Sequence, residues 1–136
     1  MSPEQKQQQL VAKISLIEDR QERLAWVVDR ARKVPALADS EKTEENRVQG
    51  CVSRVWLVGT VEEGQCRFRV DADSTLVKGL AWLLCEVADA ASPAEVAAFE
   101  IRILEELHLA DQLSPTRRNG LEQVQRRIRE FAAAHA

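Results

Sequence analysis

The sequence predicts an α+β fold: a small antiparallel sheet, a hairpin with room for a third strand, packed against about five helices. Three observations carry this. Apolar residues recur at helical spacing through the first 35 positions. The period then changes to strict alternation over Gln65 to Asp71, and helical spacing returns afterwards behind Ser-Pro helix starts. At 136 residues the chain is expected to bury roughly two-thirds of its unfolded surface, enough for one domain over 1–136 and too little for two.

Each element follows from its residues. Ser2-Pro3-Glu4-Gln5 reads as a capped helix start, and Leu10, Ile14 and Ile17 follow at helical spacing. Asp19 with Glu22 repeats the capping pattern for a second helix whose apolar face is Leu24, Val27, Val28 and Ala31. Pro35 ends it, because proline cannot donate the helical hydrogen bond. Ala36 to Asn46 is polar and is expected to be an exposed connection. Val52 to Val58 is β-branched and aromatic, a first strand, and Gly59 to Gly64 is expected to punctuate it. In Gln65 to Asp71, Cys66, Phe68 and Val70 fall on one face and Gln65, Arg67 and Arg69 on the other. A bare hairpin is marginal in water, so helices must cover it.

Asp71-Ala72-Asp73-Ser74 offers several caps for the next helix, where Leu76, Val77, Leu80, Leu83, Leu84 and Val87 are apolar on more than one side. That makes it the central core helix. Ser92-Pro93-Ala94-Glu95 starts another, continuing past Val96 and Phe99 toward Leu104 and Leu107, with His108 as a half-exposed helix residue. Ser114-Pro115 opens the last, with Leu121, Val124, Ile128 and Phe131 inward and a tail from Ala132 expected to fray.

Composition narrows the function. Nineteen Lys+Arg against 22 Asp+Glu give a net charge of −3, which argues against nucleic acid or anionic lipid as the main partner. Fourteen of the 19 cations are arginine, the better residue for carboxylate contacts. The opening residues have neither a basic nor an apolar signal region, and no apolar run approaches the ~18 residues of a membrane span, so a cytoplasmic, membrane-free protein is expected. Three cysteines are an odd number and are expected to be reduced thiols.

Catalytic parts are scarce. The two histidines, His108 and His135, lie in a helical stretch and in the tail. The cysteines are 15 and 19 residues apart with no Cys-x-x-Cys, so no metal site and no resident cofactor are expected. Cys66 and Cys85 fall on apolar faces and read as small buried hydrophobes. Cys51 stands apart, at a loop-to-strand junction after Gly50, where the backbone is free to bend.

Three segments then carry a resemblance. Arg47-Val48-Gln49-Gly50-Cys51-x-Ser53-x-Val55-Trp56-Leu57 resembles the active-cysteine segment of the SufE family. Asp71-x-Asp73-Ser74-x-Leu76-Val77-Lys78-Gly79-Leu80 resembles its acidic cap and central helix, and Leu113-Ser114-Pro115-Thr116-Arg117-Arg118-Asn119-Gly120-Leu121 its Leu-Ser-Pro signature. The three occur in order and in register over essentially the whole chain. Departures are Gln112, where many members have histidine, and His108, where glycine is common.

The resemblance implies a SufE/IscU-like fold and a sulfur acceptor that stimulates a pyridoxal-phosphate cysteine desulfurase of the SufS or CsdA type. Cys51 would take the outer sulfur of the desulfurase persulfide and pass it to a downstream sulfur-accepting scaffold for iron–sulfur cluster assembly; the pyridoxal phosphate belongs to the partner. Gln49 and Gly50 would form the mobile loop, and Asp71, Asp73 and Arg117 would border the docking face. Asp71 and Asp73 also suit plain capping of the Leu76 helix, and Arg126, Arg127 and Arg129 a solvated helix face. An ordinary thiol is only about one-tenth ionised near pH 7.5, so Arg47, Arg54 or the backbone N–H groups of the Gly50–Cys51 turn are expected to stabilise a thiolate. Two other readings are an IscU-type iron–sulfur scaffold, which needs three convergent cysteines, and a Cys51 redox or peroxidase protein with Cys66 as a nearby resolving thiol.

Overall fold

In the computed structural model, which describes residues 1–136, six α-helices and a two-stranded sheet follow the order α-α-β-β-α-α-α-α. α1 (Pro3–Ile14) starts where its capping box demands: Ser2 Oγ accepts the Gln5 N–H, and the Gln5 side chain accepts the Ser2 N–H. α2 (Arg20–Arg32) is capped by Asp19, which accepts from Gln21 and Glu22, and stops three residues short of Pro35. α1 buries Pro3, Gln7 and Ile14, and α2 buries Val27 and Ala31.

The hairpin is shifted from its expected place. β1 is Val55–Glu62 and β2 is Gln65–Ala72, paired antiparallel with Val55 opposite Ala72 and Glu62 opposite Gln65. Val52, read as strand, lies outside it and is 82% exposed. Gly59, read as a break, lies inside β1, and the turn is only Glu63-Gly64, both at positive φ (52° and 77°). The reason is tertiary. A Cβ at Gly59 would lie 2.9 Å from the Phe131 ring, which packs edge-on against Phe68, the cross-strand partner of Gly59. Glycine there leaves room for a ring that the local sequence does not announce.

A third strand is present only as a bridge between Arg47 and Trp56. Leu57 donates to the Asn46 carbonyl and Val48 donates to the Val55 carbonyl, both at 2.8 Å. The chain then turns away at Gly50 (φ 85°). The Val48–Val55 bond joins two buried residues and closes the base of a six-residue loop, residues 49–54.

The Leu57/Val70, Gly59/Phe68 and Val61/Cys66 pairs form the face toward the helices. The opposite face is also covered at the Trp56/Asp71 end. The connection expected to be exposed folds back there: Leu37 is buried, Asp39–Glu41 makes a 3₁₀ turn, Glu41 binds Arg69, and Lys42 sits over the Trp56 ring. A pattern read as one-sided is therefore two-sided at one end.

α3 (Thr75–Ala88) is the central helix, with nine buried residues. Its cap is Ser74, accepting from Val77, and neither Asp71 nor Asp73. Leu80, Leu83, Leu84 and Val87 are at most 1% exposed, each worth about 1.5–3 kcal/mol of burial. α4 (Pro93–Ala98) keeps its Ser92 capping box but ends at Phe99. α5 (Ile103–Glu106) lasts one turn, and His108 beyond it adopts φ 58°, a left-handed conformation that stops a helix. One expected helix is thus two short ones, and His108 is an exposed post-helical residue bonded to Asp111.

α6 (Pro115–His135) starts on Ser114 as expected and runs through the tail expected to fray. Ala132 is fully buried and His135 stacks on Phe131 with centroids 4.2 Å apart, so the last turn has contacts to keep it. No helix is long and apolar enough to cross a membrane.

Candidate functional site

The three cysteines occupy three different environments. Cys85 is sealed inside α3, and burial pushes its thiol far above the ordinary range. Cys66 is fully buried on β2, exchanging backbone hydrogen bonds with Ala90 and Ala91. Cys51 alone is half-buried, in the loop closed by Val48 and Val55. Cys66 pairs near the hairpin turn and Cys51 precedes the other end of β1, a separation of roughly 20 Å at strand spacing. Cys66 is therefore not a nearby resolving thiol for Cys51, and the three sulfurs do not converge as a cluster scaffold requires.

Cys51 faces a cavity of about 140 Å³ lined by Val52, Ser53, Val77 and the first turns of α6. From α6 come Ser114, Thr116, Arg117 and Gly120. The thiol donates to the Gly120 carbonyl at 3.3 Å, and a Cβ on Gly120 would lie 3.4 Å from the sulfur. Gly120 is thus both partner and floor. The loop is held at a second point, where Asn119 Nδ2 donates to the Gly50 carbonyl at 3.5 Å. A Cβ on Gly50 would face left-handed strain and meet Gln123 at 3.1 Å, so any larger residue disturbs the bend before Cys51.

The electrostatics differ from the expectation of a stabilised thiolate. Burial pushes the Cys51 thiol up, and the Arg47 guanidinium only partly opposes it. Arg54 is turned toward Asp73 at 2.7 Å and lies over Trp56, and Sγ donates to a carbonyl where an N–H donor was expected. The undisturbed site keeps a neutral thiol.

The other expected site residues divide. Arg117 lines the cavity with Cys51, and Gly50 is the bend beside it. Gln49 faces the other way, into a cleft with Val48, Gln123, Arg126, Arg127 and Glu130. In that cleft Arg127 donates to the Arg47 and Glu45 carbonyls, fastening the strand-side base of the loop to α6, so this arginine is more than a solvated face. Asp73 is exposed and pairs with Arg54 near the far end of the loop.

Asp71 is elsewhere. Its side chain is 8% exposed, accepts the Leu37 and Ala72 N–H groups, and lies 3.5 Å from both Lys42 and Lys78. Burial alone would raise its pKa, but the two N–H groups and two ammoniums together hold the carboxyl below its usual value. It staples the connection to β2 and does not border the cavity. Gly120, Ser114, Thr116, Val77 and Ser53 were not singled out from the sequence; the signal was their presence in or next to the three matching segments.

Comparison with known proteins identifies the family. The family model for SufE, described as an Fe-S metabolism associated domain, matches residues 8–132. An uncharacterised SufE-like protein of Rhizobium etli is 32% identical over 133 residues, 94% of this chain and 90% of that one. The chloroplastic quinolinate synthase of Arabidopsis thaliana is 40% identical over 105 residues, which are 76% of this chain but only 15% of that much longer protein. The solution structure of a hypothetical protein from Thermus thermophilus superposes with a TM-score of 0.79 at 23% identity, covering 99% of this chain and 97% of that one, and so shares the fold. Taken with the half-buried Cys51 and the α6 turn that cradles it, the match over nearly the whole length shows that this chain belongs to the SufE family, whose domain is associated with iron–sulfur metabolism.

Proposed function

We propose that Cys51 accepts sulfur from a pyridoxal-phosphate cysteine desulfurase of the SufS or CsdA type, stimulates that enzyme by emptying it, and hands the sulfur to a downstream acceptor for cluster assembly in the cytoplasm. The observation that carries this is the contrast among the thiols: Cys51 is the one not buried, and it sits on a loop joined to α6 by the Cys51–Gly120 and Asn119–Gly50 hydrogen bonds over a small cavity.

The chemistry is a thiol–disulfide exchange. The Cys51 thiolate attacks the outer sulfur of the desulfurase persulfide, a new S–S bond forms on Cys51, and the bond inside the partner's persulfide breaks. The partner's own cysteine leaves as a thiolate, and the Cys51 proton passes to it or to solvent. Because burial keeps the free thiol protonated, the attack requires the loop to leave the cavity, which docking would bring about. Gly50 supplies the bend, Asp73 and Arg54 flank the loop, and Arg117 stands at the cavity edge. The thiol is thereby shielded in solution and reactive in the complex.

The test is mass spectrometry after incubation with desulfurase, pyridoxal phosphate and cysteine. One added sulfur on Cys51, absent from Cys51→Ser, is expected, as is loss of desulfurase stimulation in Cys51→Ala. An adduct on another residue, or full stimulation by Cys51→Ala, removes the reading.

A further inference from the structure

We propose that Arg127 is a positioning residue for the sulfur-accepting loop: its guanidinium clamps the Glu44–Arg47 turn to α6, so that residues 49–54 move about Gly50 from a fixed root. This rests on the sulfur-acceptor reading and deepens it by assigning what holds the loop's root while its tip moves.

The turn needs donors from outside, and its four successive carbonyls each find one. Glu44 accepts from the Arg47 N–H at 3.3 Å and Asn46 from the Leu57 N–H at 2.8 Å. Glu45 and Arg47 are left, and both accept from Arg127: Nη1 reaches the Arg47 carbonyl at 3.0 Å, and Nη2 reaches the Glu45 carbonyl. One guanidinium from 80 positions away thus completes the hydrogen bonding of this turn. Arg126 beside it pairs with Glu130 in the ordinary i,i+4 way, whereas both Arg127 bonds go to backbone.

Arg127 belongs to a stripe. Asn119, Gln123 and Arg127 are four residues apart and share one face of α6. Asn119 and Gln123 lie against Gly50, and Arg127 meets the residues before Val48. These contacts differ in strength. At the tip the Asn119 bond is neutral and stretched to 3.5 Å, and the Cys51 thiol is a weak donor to Gly120. At the root two bonds come from a charged donor, and such bonds are roughly twice as strong as neutral ones. Loosening therefore begins at Gly50, whose positive φ of 85° suits a pivot, and stops at Arg47. The clamp also fixes the backbone of Arg47, the residue whose cation acts on the Cys51 thiol. A thiol delivered from a fixed root searches a smaller volume for its target, and a floating root lowers the share of docked complexes in which the two sulfurs meet.

The test compares the full wild-type chain with Arg127→Ala, which places the best helix former at a half-exposed helix position. Amide exchange followed by NMR is expected to quicken roughly tenfold at Arg47 and Leu57, whose N–H groups bond to the turn, and to hold at Val70 and Val124. With desulfurase, pyridoxal phosphate and cysteine, Arg127→Ala is expected to lower maximal stimulation several-fold at an unchanged half-saturating concentration, because the docking face is intact. Unchanged exchange at Arg47 and Leu57, or a rise shared equally by Val70 and Val124, overturns the clamp. Faster exchange at the turn with undiminished maximal stimulation overturns the positioning role. If Cys51→Ala stimulates as well as wild type, the acceptor reading falls, and exchange at the turn still decides the clamp.

Discussion

The sulfur of Cys51 rests directly against Gly120: the thiol donates to the Gly120 carbonyl at 3.3 Å, and a methyl on Gly120 would touch the same sulfur at 3.4 Å. One residue of α6 therefore sets both the depth and the hydrogen bonding of the thiol.

Gly120→Ala separates those effects from stability. Alanine is the better helix former by about 0.5–1 kcal/mol, and Gly120 lies within α6, so thermal stability is expected to hold or rise slightly. The added methyl comes into contact with the sulfur and narrows the cavity, leaving the thiol less room to withdraw. Iodoacetamide should then alkylate Cys51 several-fold faster than in wild type at the same pH. Unchanged alkylation would mean the thiol does not rest on Gly120 in solution.

Arg47→Ala addresses the charge. Burial raises the Cys51 pKa and the Arg47 cation opposes it, so removing the cation should raise it further. Rates of alkylation against pH should show an apparent pKa above the ordinary ~8.5 in wild type and higher still in Arg47→Ala. The sign for stability follows: the folded state holds this proton more tightly than the unfolded one, so the thiol's contribution is complete below the unfolded pKa and is lost as pH rises through the folded value. A downward shift in the variant would contradict the assignment.

Asp71→Ala should cost about 3 kcal/mol, because it leaves two backbone N–H groups without their acceptor and the ammonium of Lys78, whose side chain is 12% exposed, without its counter-ion and with the Val34 carbonyl as its remaining acceptor. Denaturant unfolding measures it. Since the folded carboxyl titrates below its unfolded value, its stabilisation is present above the unfolded pKa near 3.9 and is lost as pH falls through the folded one. Asp71→Ala should therefore lose less stability than wild type on acidification. A variant as stable as wild type at neutral pH would deny the staple.

Local rules in the chain made some elements legible and hid others. Ser2, Asp19, Ser92 and Ser114 each cap the helix they were expected to cap, since a cap depends only on its next three residues. The alternation of Cys66, Phe68 and Val70 fixed which face of β2 is buried. Gly59 misled because its reason is Phe131, 72 positions on. Asp71 misled because its partners arrive from α3 and from a connection that looked unattached. Spacing alone singled out Cys51 among the thiols by the glycine before it. That Arg117 shares its cavity was legible only through the matching segments, since nothing local joins positions 66 residues apart.

The Val48–Val55 bond limits how far the sulfur is able to travel. Both ends of the excursion are tied to one spot on the hairpin, and Cys51 is three links from the nearer anchor, so even a taut chain carries its Cα no more than about 10 Å from Val48. Any protein that takes or gives sulfur here must bring its reacting atom within that tether, which bounds the depth of the recess it presents and rules out delivery at arm's length.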